Sequence, residues 1–201
     1  MKKFILTDET IEMFGVTLHR IKAVRSFGNV KEGDLGGFVE KEENISENFE
    51  AWVCGDAKVY GNALVYGDAL VCGDALVCGD ALVCGDAEVC GDAEVYGNAK
   101  VCGDALVCGD AEVYGNALVC GDAKVYGNAD YIVFKNWWSS GRYFTWTRSN
   151  NMWSVGCFYG TGEELIKKAY QDSEKSGREY ERVVKFVQSI LADENNEKTT
   201  K

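Results

Sequence analysis

Ala69-Leu70-Val71-Cys72-Gly73-Asp74-Ala75-Leu76-Val77-Cys78-Gly79-Asp80 is two copies of a six-residue unit, Ala-x-Val-(Cys/Tyr)-Gly-(Asp/Asn). The unit repeats thirteen times from Ala51 to Asn128 without an insertion. Its Ala and Val are two apart, so on a short strand both point to one side while x and Cys/Tyr point to the other. Glycine tolerates the positive φ of a tight corner, and Asp or Asn hydrogen-bonds nearby backbone. A chain that turns every six residues, with only small or β-branched residues inside, closes into a narrow prism whose coils pair in parallel register.

The aliphatic residue followed four later by a small one, from Val53/Ala57 to Val125/Ala129, resembles the hexapeptide-repeat family. The resemblance covers 78 of 201 residues. It implies a mainly β fold, a left-handed parallel β-helix with three hexads per triangular coil. Cys or Tyr directly after the aliphatic residue departs from the small or acidic residue the family often has there. Sorting positions every eighteen residues tests the threefold period. One face collects Cys54, Cys72, Cys90, Cys108 and Tyr126, a second Tyr60, Cys78, Tyr96 and Tyr114, and a third Tyr66, Cys84, Cys102 and Cys120. Thirteen hexads then make about four coils, a rod of roughly 20 Å at a strand spacing of about 4.8 Å. The third face, with Leu64, Leu82 and Leu118 at x positions beside Tyr66, is the apolar one. It is the expected contact with another subunit or with the chain's own terminal region.

The flanks are expected to close the rod's ends. Residues 1–50 read as a β-rich cap: Phe4-Ile5-Leu6, Val16 to Val24, a turn at Gly33-Asp34-Leu35-Gly36-Gly37, and a degenerate coil holding Ile45 and Phe49. Residues 51–128 are the β-helix. Residues 129–192 read as a small α+β domain: strands at Tyr131–Phe134, Arg142–Arg148 and Met152–Tyr159, a hairpin turn at Ser149-Asn150-Asn151, then two helices. The first helix is capped by Thr161 and the second lies near Gly177. Residues 193–201 read as a flexible tail. The leader Leu18-His19-Arg20-Ile21-Lys22-Ala23 with Gly33-Asp34-Leu35-Gly36-Gly37-Phe38 resembles that of hexapeptide-repeat proteins of bacterial and phage genomes.

The formal net charge of −11 is uneven: −3 over residues 1–50, −9 over 51–128 and +1 over 129–201. An acidic rod repels phosphate backbones, so direct nucleic-acid binding along it is excluded, while imitation of DNA as an inhibitor is an alternative reading. Eight of the nine cysteines occupy one repeat position, so repetition and not disulfide pairing explains their number. With no apolar run of membrane-spanning length and an N-terminus that soon turns polar, the expected setting is cytoplasmic, without membrane partners.

Acyl transfer, the activity the hexapeptide resemblance brings forward as a second alternative, would use a histidine base and a protruding loop. The only histidine is His19, in the cap, and no loop interrupts the repeat. No catalytic residue, cofactor or metal site is therefore expected, and rows of thiols spaced by six, twelve and eighteen residues are too flat to surround a tetrahedral ion. Cys157, at a strand end before a helix, lacks a neighbouring base. The aromatic and arginine cluster of Trp137, Arg142, Phe144, Trp146, Arg148 and Trp153 is the expected ligand site, since arginine beside tryptophan suits a stacked base and a phosphate. The competing reading makes these rings the core of a small domain. The expectation is a non-catalytic, homo-oligomeric binding or scaffold protein. It would hold a small nucleotide-type ligand or a protein partner at that cluster or a subunit interface, as a phage protein sequestering an immune signal would.

Overall fold

The computed structural model describes residues 2–199, with side chains through Glu194. Each hexad contributes one two-residue strand, its x and Val residues, from β4 (Trp52–Val53) to β16 (Lys124–Val125). Pairing is parallel and eighteen residues apart on three faces. The first face runs Trp52, Leu70, Glu88, Leu106, Lys124; the second Lys58, Leu76, Glu94, Glu112; the third Leu64, Leu82, Lys100, Leu118. Three hexads therefore make one coil of a parallel β-solenoid. Every repeat Ala and Val is at most 1% exposed, so the interior is a stack of methyl groups without a polar side chain.

The solenoid begins before the regular repeat. Strand β1 (Phe4–Met13) pairs antiparallel with β2 (Val16–Ala23), which pairs antiparallel with β3 (Leu35–Val39). β3 in turn runs parallel to Lys58–Val59, and Ile45 bridges Val65. Residues 35–50 thus lay down a further coil, about five turns in all. Phe49, expected inside it beside Ile45, is 69% exposed at φ +64°. The leader's glycines do more than form the expected turn. Gly33 does turn, at φ +94°, but Gly36 and Gly37 sit within β3. A Cβ at Gly36 would stand 2.5 Å from the Val53 carbonyl oxygen, and one at Gly37 2.4 Å from that of Ala57, so these glycines let the cap backbone lie against the first hexads. Arg20 latches the same junction: its guanidinium covers the Phe38 ring, donates to the Gly36 and Gly55 carbonyls, and pairs with Glu9 and Asp56.

A parallel solenoid has unlike ends, and the two caps answer that polarity. Within the rod, amides of one coil donate to carbonyls of the next, as Leu70 does to Ala87 and Cys72 to Val89. The first hexads therefore expose carbonyls and the last expose amides, and an unpaired buried backbone group is costly. At the N-terminal end each face receives a donor. Lys3 Nζ reaches the Ala51 carbonyl at 2.8 Å, the Phe38 amide that of Ala57 at 2.8 Å, and Asn44 Nδ2 that of Ala63 at 2.8 Å. This is why Lys3 and Asn44 are both fully buried. At the C-terminal end each face receives a side-chain acceptor. Asn128 Oδ1 takes the Glu112 amide at 2.8 Å, Thr145 Oγ1 that of Leu118 at 2.9 Å, and Ser149 Oγ that of Lys124 at 2.7 Å. These contacts occupy part of the open ladder at each end and so work against end-to-end strand addition.

The C-terminal unit is an antiparallel sheet, β17 (Tyr131–Lys135), β18 (Tyr143–Thr147), β19 (Met152–Val155) and β20 (Phe158–Gly160), backed by α1 (Gly162–Asp172) and α2 (Glu174–Thr199). The single strand expected over Met152–Tyr159 is a hairpin, because Gly156 turns the chain at φ +61° and places Cys157 in the exposed turn. Thr161 caps α1 by accepting from the Glu164 amide, while the Glu164 carboxylate takes the Thr161 amide in return. α2 continues through Thr199, past Asp193 where a flexible tail was expected to begin. The Arg148 guanidinium grips Glu194 with two bonds of 2.7 and 3.0 Å and secures the helix beyond that point. No helix among the described residues is long and apolar enough to cross a membrane.

Candidate functional site

The residues singled out as a ligand cluster do not assemble into one. On β18, alternate side chains face opposite ways. Phe144 and Trp146 enter a core with Trp138, Trp153, Leu165, Val184 and Val187, while Thr145 turns to the rod. Phe144, Trp146 and Trp153 are at most 2% exposed and leave no ring face for a base to stack on. Arg148 is engaged by Glu194. Trp137, 75% exposed and edge-on to Trp138, stands at the surface, and Arg142 is exposed. The competing reading, rings as the core of a small domain, describes three of the six residues.

Arg142 instead borders a groove where the C-terminal sheet meets the last coil. One cleft of about 490 Å³ is lined by Tyr114, Asn116, Asn128, Tyr131 and Tyr143 among others. A second, of about 520 Å³, is lined by Asn98, Lys100, Asn116, Leu118, Arg142 and Tyr143. Asn116 and Tyr143 belong to both, so the two clefts are halves of one groove around the corner between the second and third faces. Tyr114, half exposed, lies flat on Tyr96 with centroids 5.4 Å apart, and the Tyr96 hydroxyl donates to Glu112 at 3.0 Å. The Lys135 ammonium stands 5.4 Å from the centre of the Tyr143 ring. On a chain whose rod is acidic, this groove is lined by Lys100 and Arg142 beside two exposed tyrosine rings, with Lys135 next to the Tyr143 ring. Sequence reasoning does not reach it because its walls come from coils eighteen residues apart and from a separate sheet; of the expected ligand residues, Arg142 alone lines it.

His19 is far from this groove in the fold. It sits in the cap hairpin with Nδ1 3.2 Å from the Thr7 carbonyl oxygen. Of the expected interface residues, Leu64, Leu82 and Leu118 are half-buried on the third face, with Lys100 between Leu82 and Leu118, and Tyr66 is 37% exposed. The upper part of that face stays open, while its last rung meets the C-terminal sheet through Thr145.

All nine cysteines are free. On the first face burial, with the charge of neighbouring thiols and of Glu88, pushes Cys72 up to about 11 and Cys90 up to about 12. On the third face the hydrogen bond to Cys120 pushes Cys102 up to about 11, and the same contact lowers Cys120. A thiol whose folded value lies above the unfolded 9.0 keeps its proton where the unfolded chain has released it, so its stabilisation is complete below pH 9 and is lost as pH rises through the folded value. Lys3, lowered by burial from 10.5 to about 8, acts in the opposite sense, but only between those limits. The melting temperature is therefore expected to fall most steeply above pH 10.5. A Cys72→Ser/Cys90→Ser variant should show a shallower fall in the same pH series.

A sequence model of the YdcK β-solenoid repeat matches residues 57–73. Among curated proteins nothing matches the chain. That match falls within the regular hexads, and the surrounding coils pair in parallel at a constant interval of eighteen residues with only alanine and valine inside. The chain is a hexapeptide-repeat β-solenoid protein.

Proposed function

We propose that this β-solenoid is a non-catalytic binding scaffold whose ligand is a small aromatic anion of the nucleotide type, held in the groove around Asn116 and Tyr143. The observation that carries this reading is the composition of the groove. Two exposed tyrosine rings offer stacking surfaces, three asparagines offer amide donors and acceptors, and Lys100 and Arg142 supply the positive charge a phosphate needs. The single histidine, held in the cap hairpin, supplies no imidazole base beside it. Sequestration of a nucleotide signal, as in phage counter-defence, is the use that this groove and the resemblance of the leader sequence together suggest.

A panel of mono-, di- and cyclic nucleotides screened by calorimetry tests the proposal. At least one is expected to bind, and Arg142→Ala should weaken it by about 1.5–3 kcal/mol, roughly tenfold to a hundredfold in Kd, through loss of a charge-assisted hydrogen bond. Tyr143→Ala should weaken it as well, while Trp137→Ala should leave Kd unchanged. Absence of binding across the panel, or binding indifferent to Arg142 and Tyr143, overturns the reading.

A further inference from the structure

Cys72, Glu88 and Cys90 form a triangle on the first face of the rod. Cys72 and Cys90 occupy the same position on neighbouring rungs, since Val71 pairs with Val89, and Glu88 precedes Cys90 by two residues and so points outward beside it. Cys72 Sγ is 3.9 Å from Glu88 Oε1, and all three donor atoms lie within 4.8 Å of one another. The thiol rows by themselves are collinear, which is why spacing alone argues against a metal. Glu88 breaks that line. Glu-Val-Cys occurs once in the rod, at residues 88–90; the other repeat cysteines follow Trp, Leu or Lys at x, and the other two x-position glutamates precede tyrosines.

The surroundings of Glu88 point the same way. Its neighbours on the adjacent rungs are Leu70 and Leu106, and among the described residues it forms no ion pair. A half-buried carboxylate between leucines is unfavourable unless a positive charge offsets its lost hydration. Among the described residues no lysine or arginine side chain faces this rung, and the two thiols within reach suit a metal ion as that charge. Lys124, the cation on the same face, lies two rungs further down.

We propose that Cys72 and Cys90, as thiolates, and Glu88 bind one Zn(II), with a solvent water completing four-coordination. On binding, the two thiol protons leave to solvent and two Zn–S bonds form, as metal binding to thiols requires. Bond lengths of about 2.3 Å to sulfur and about 2.1 Å to oxygen put tetrahedral donors roughly 3.5–3.8 Å apart. The present 3.9–4.8 Å is closed by rotation about the cysteine and glutamate side-chain torsions, with the strand ladder unmoved. The site is solvent-accessible on one side and independent of the groove at Asn116.

The test is anaerobic titration of the reduced full-length chain with Zn(II) by calorimetry, and with Co(II), whose thiolate charge-transfer absorption reports sulfur ligation. One metal per chain is expected. Cys72→Ser/Cys90→Ser should abolish both binding and the charge-transfer band, and Glu88→Gln should weaken Zn(II) by about tenfold or more. Cys84→Ser/Cys102→Ser, on another face, should leave both unchanged. Circular dichroism of each variant checks that the solenoid is retained. No Zn(II) binding, binding that survives Cys72→Ser/Cys90→Ser in a folded protein, or preferential Cu(I) binding indifferent to Glu88→Gln would each overturn the assignment.

Discussion

Replacing Gly85 by valine should destabilise the protein by about 2–6 kcal/mol, the sum of two independent costs. Gly85 turns its corner at φ +74°, a conformation that β-branched residues adopt at a cost of about 1–3 kcal/mol. Space is the second cost. A Cβ there would stand 2.9 Å from the Gly103 amide nitrogen and 3.0 Å from its carbonyl oxygen, backbone atoms of the next coil in a segment anchored by the bond from the Cys102 amide to the Val119 carbonyl. The added branches have nowhere to go, which contributes a further 1–3 kcal/mol, roughly, of overpacking. Gly115 offers the internal control, since it too has a positive φ, of +67°, yet nothing lies within 4 Å of a Cβ there. Gly115→Ala should cost only the conformational share, about 1–2 kcal/mol. Urea denaturation of the two variants separates the effects, and equal losses would show that stacking between corners contributes little.

Trp146→Ala should remove about 3–5 kcal/mol from the C-terminal unit, the usual cost of deleting a buried tryptophan. The indole is 1% exposed, packs within the cluster of Phe144, Trp153, Leu165 and Val184, and donates its Nε1 hydrogen to Asn151 at 2.8 Å. Because that cluster is separate from the methyl stack of the rod, the loss should appear as early melting of the sheet and helices, with the solenoid signal persisting to higher temperature. Trp137→Ala, at the surface, should change stability by less than about 0.5 kcal/mol. Near-ultraviolet circular dichroism during thermal melting reads the aromatic unit directly, and a single transition shared with the rod would mean that the two cores unfold together.

The contrast between these tryptophans shows where sequence reading loses its grip. Arginines and aromatic rings spaced by two on a strand look alike whether they face solvent or a pair of helices. The decision falls on α1 and α2, which cover Phe144 and Trp146 and leave Arg142 and Tyr143 at the edge. The groove needed Tyr114, Asn116 and Lys100 from successive coils, and the Cys72–Glu88–Cys90 triangle needed Glu88 beside two thiols of different rungs. Both are products of register. Register was deducible from the eighteen-residue period, but which outward side chains converge into a cleft depends on the sheet that closes the rod.

The repeat by itself determined the solenoid, its three faces, its alanine and valine interior and its glycine corners, because each hexad states the same local preference and parallel stacking is the one arrangement that satisfies all thirteen. The tertiary structure decided the ends. A row of open carbonyls at one end and open amides at the other is invisible in any single hexad, since inside the rod each is met by its neighbour. Lys3, Asn44, Thr145 and Ser149 carry no motif, yet they supply the donors and acceptors the terminal coils lack. Hydrogen-bond polarity, a property of the stacked whole, assigns them that role.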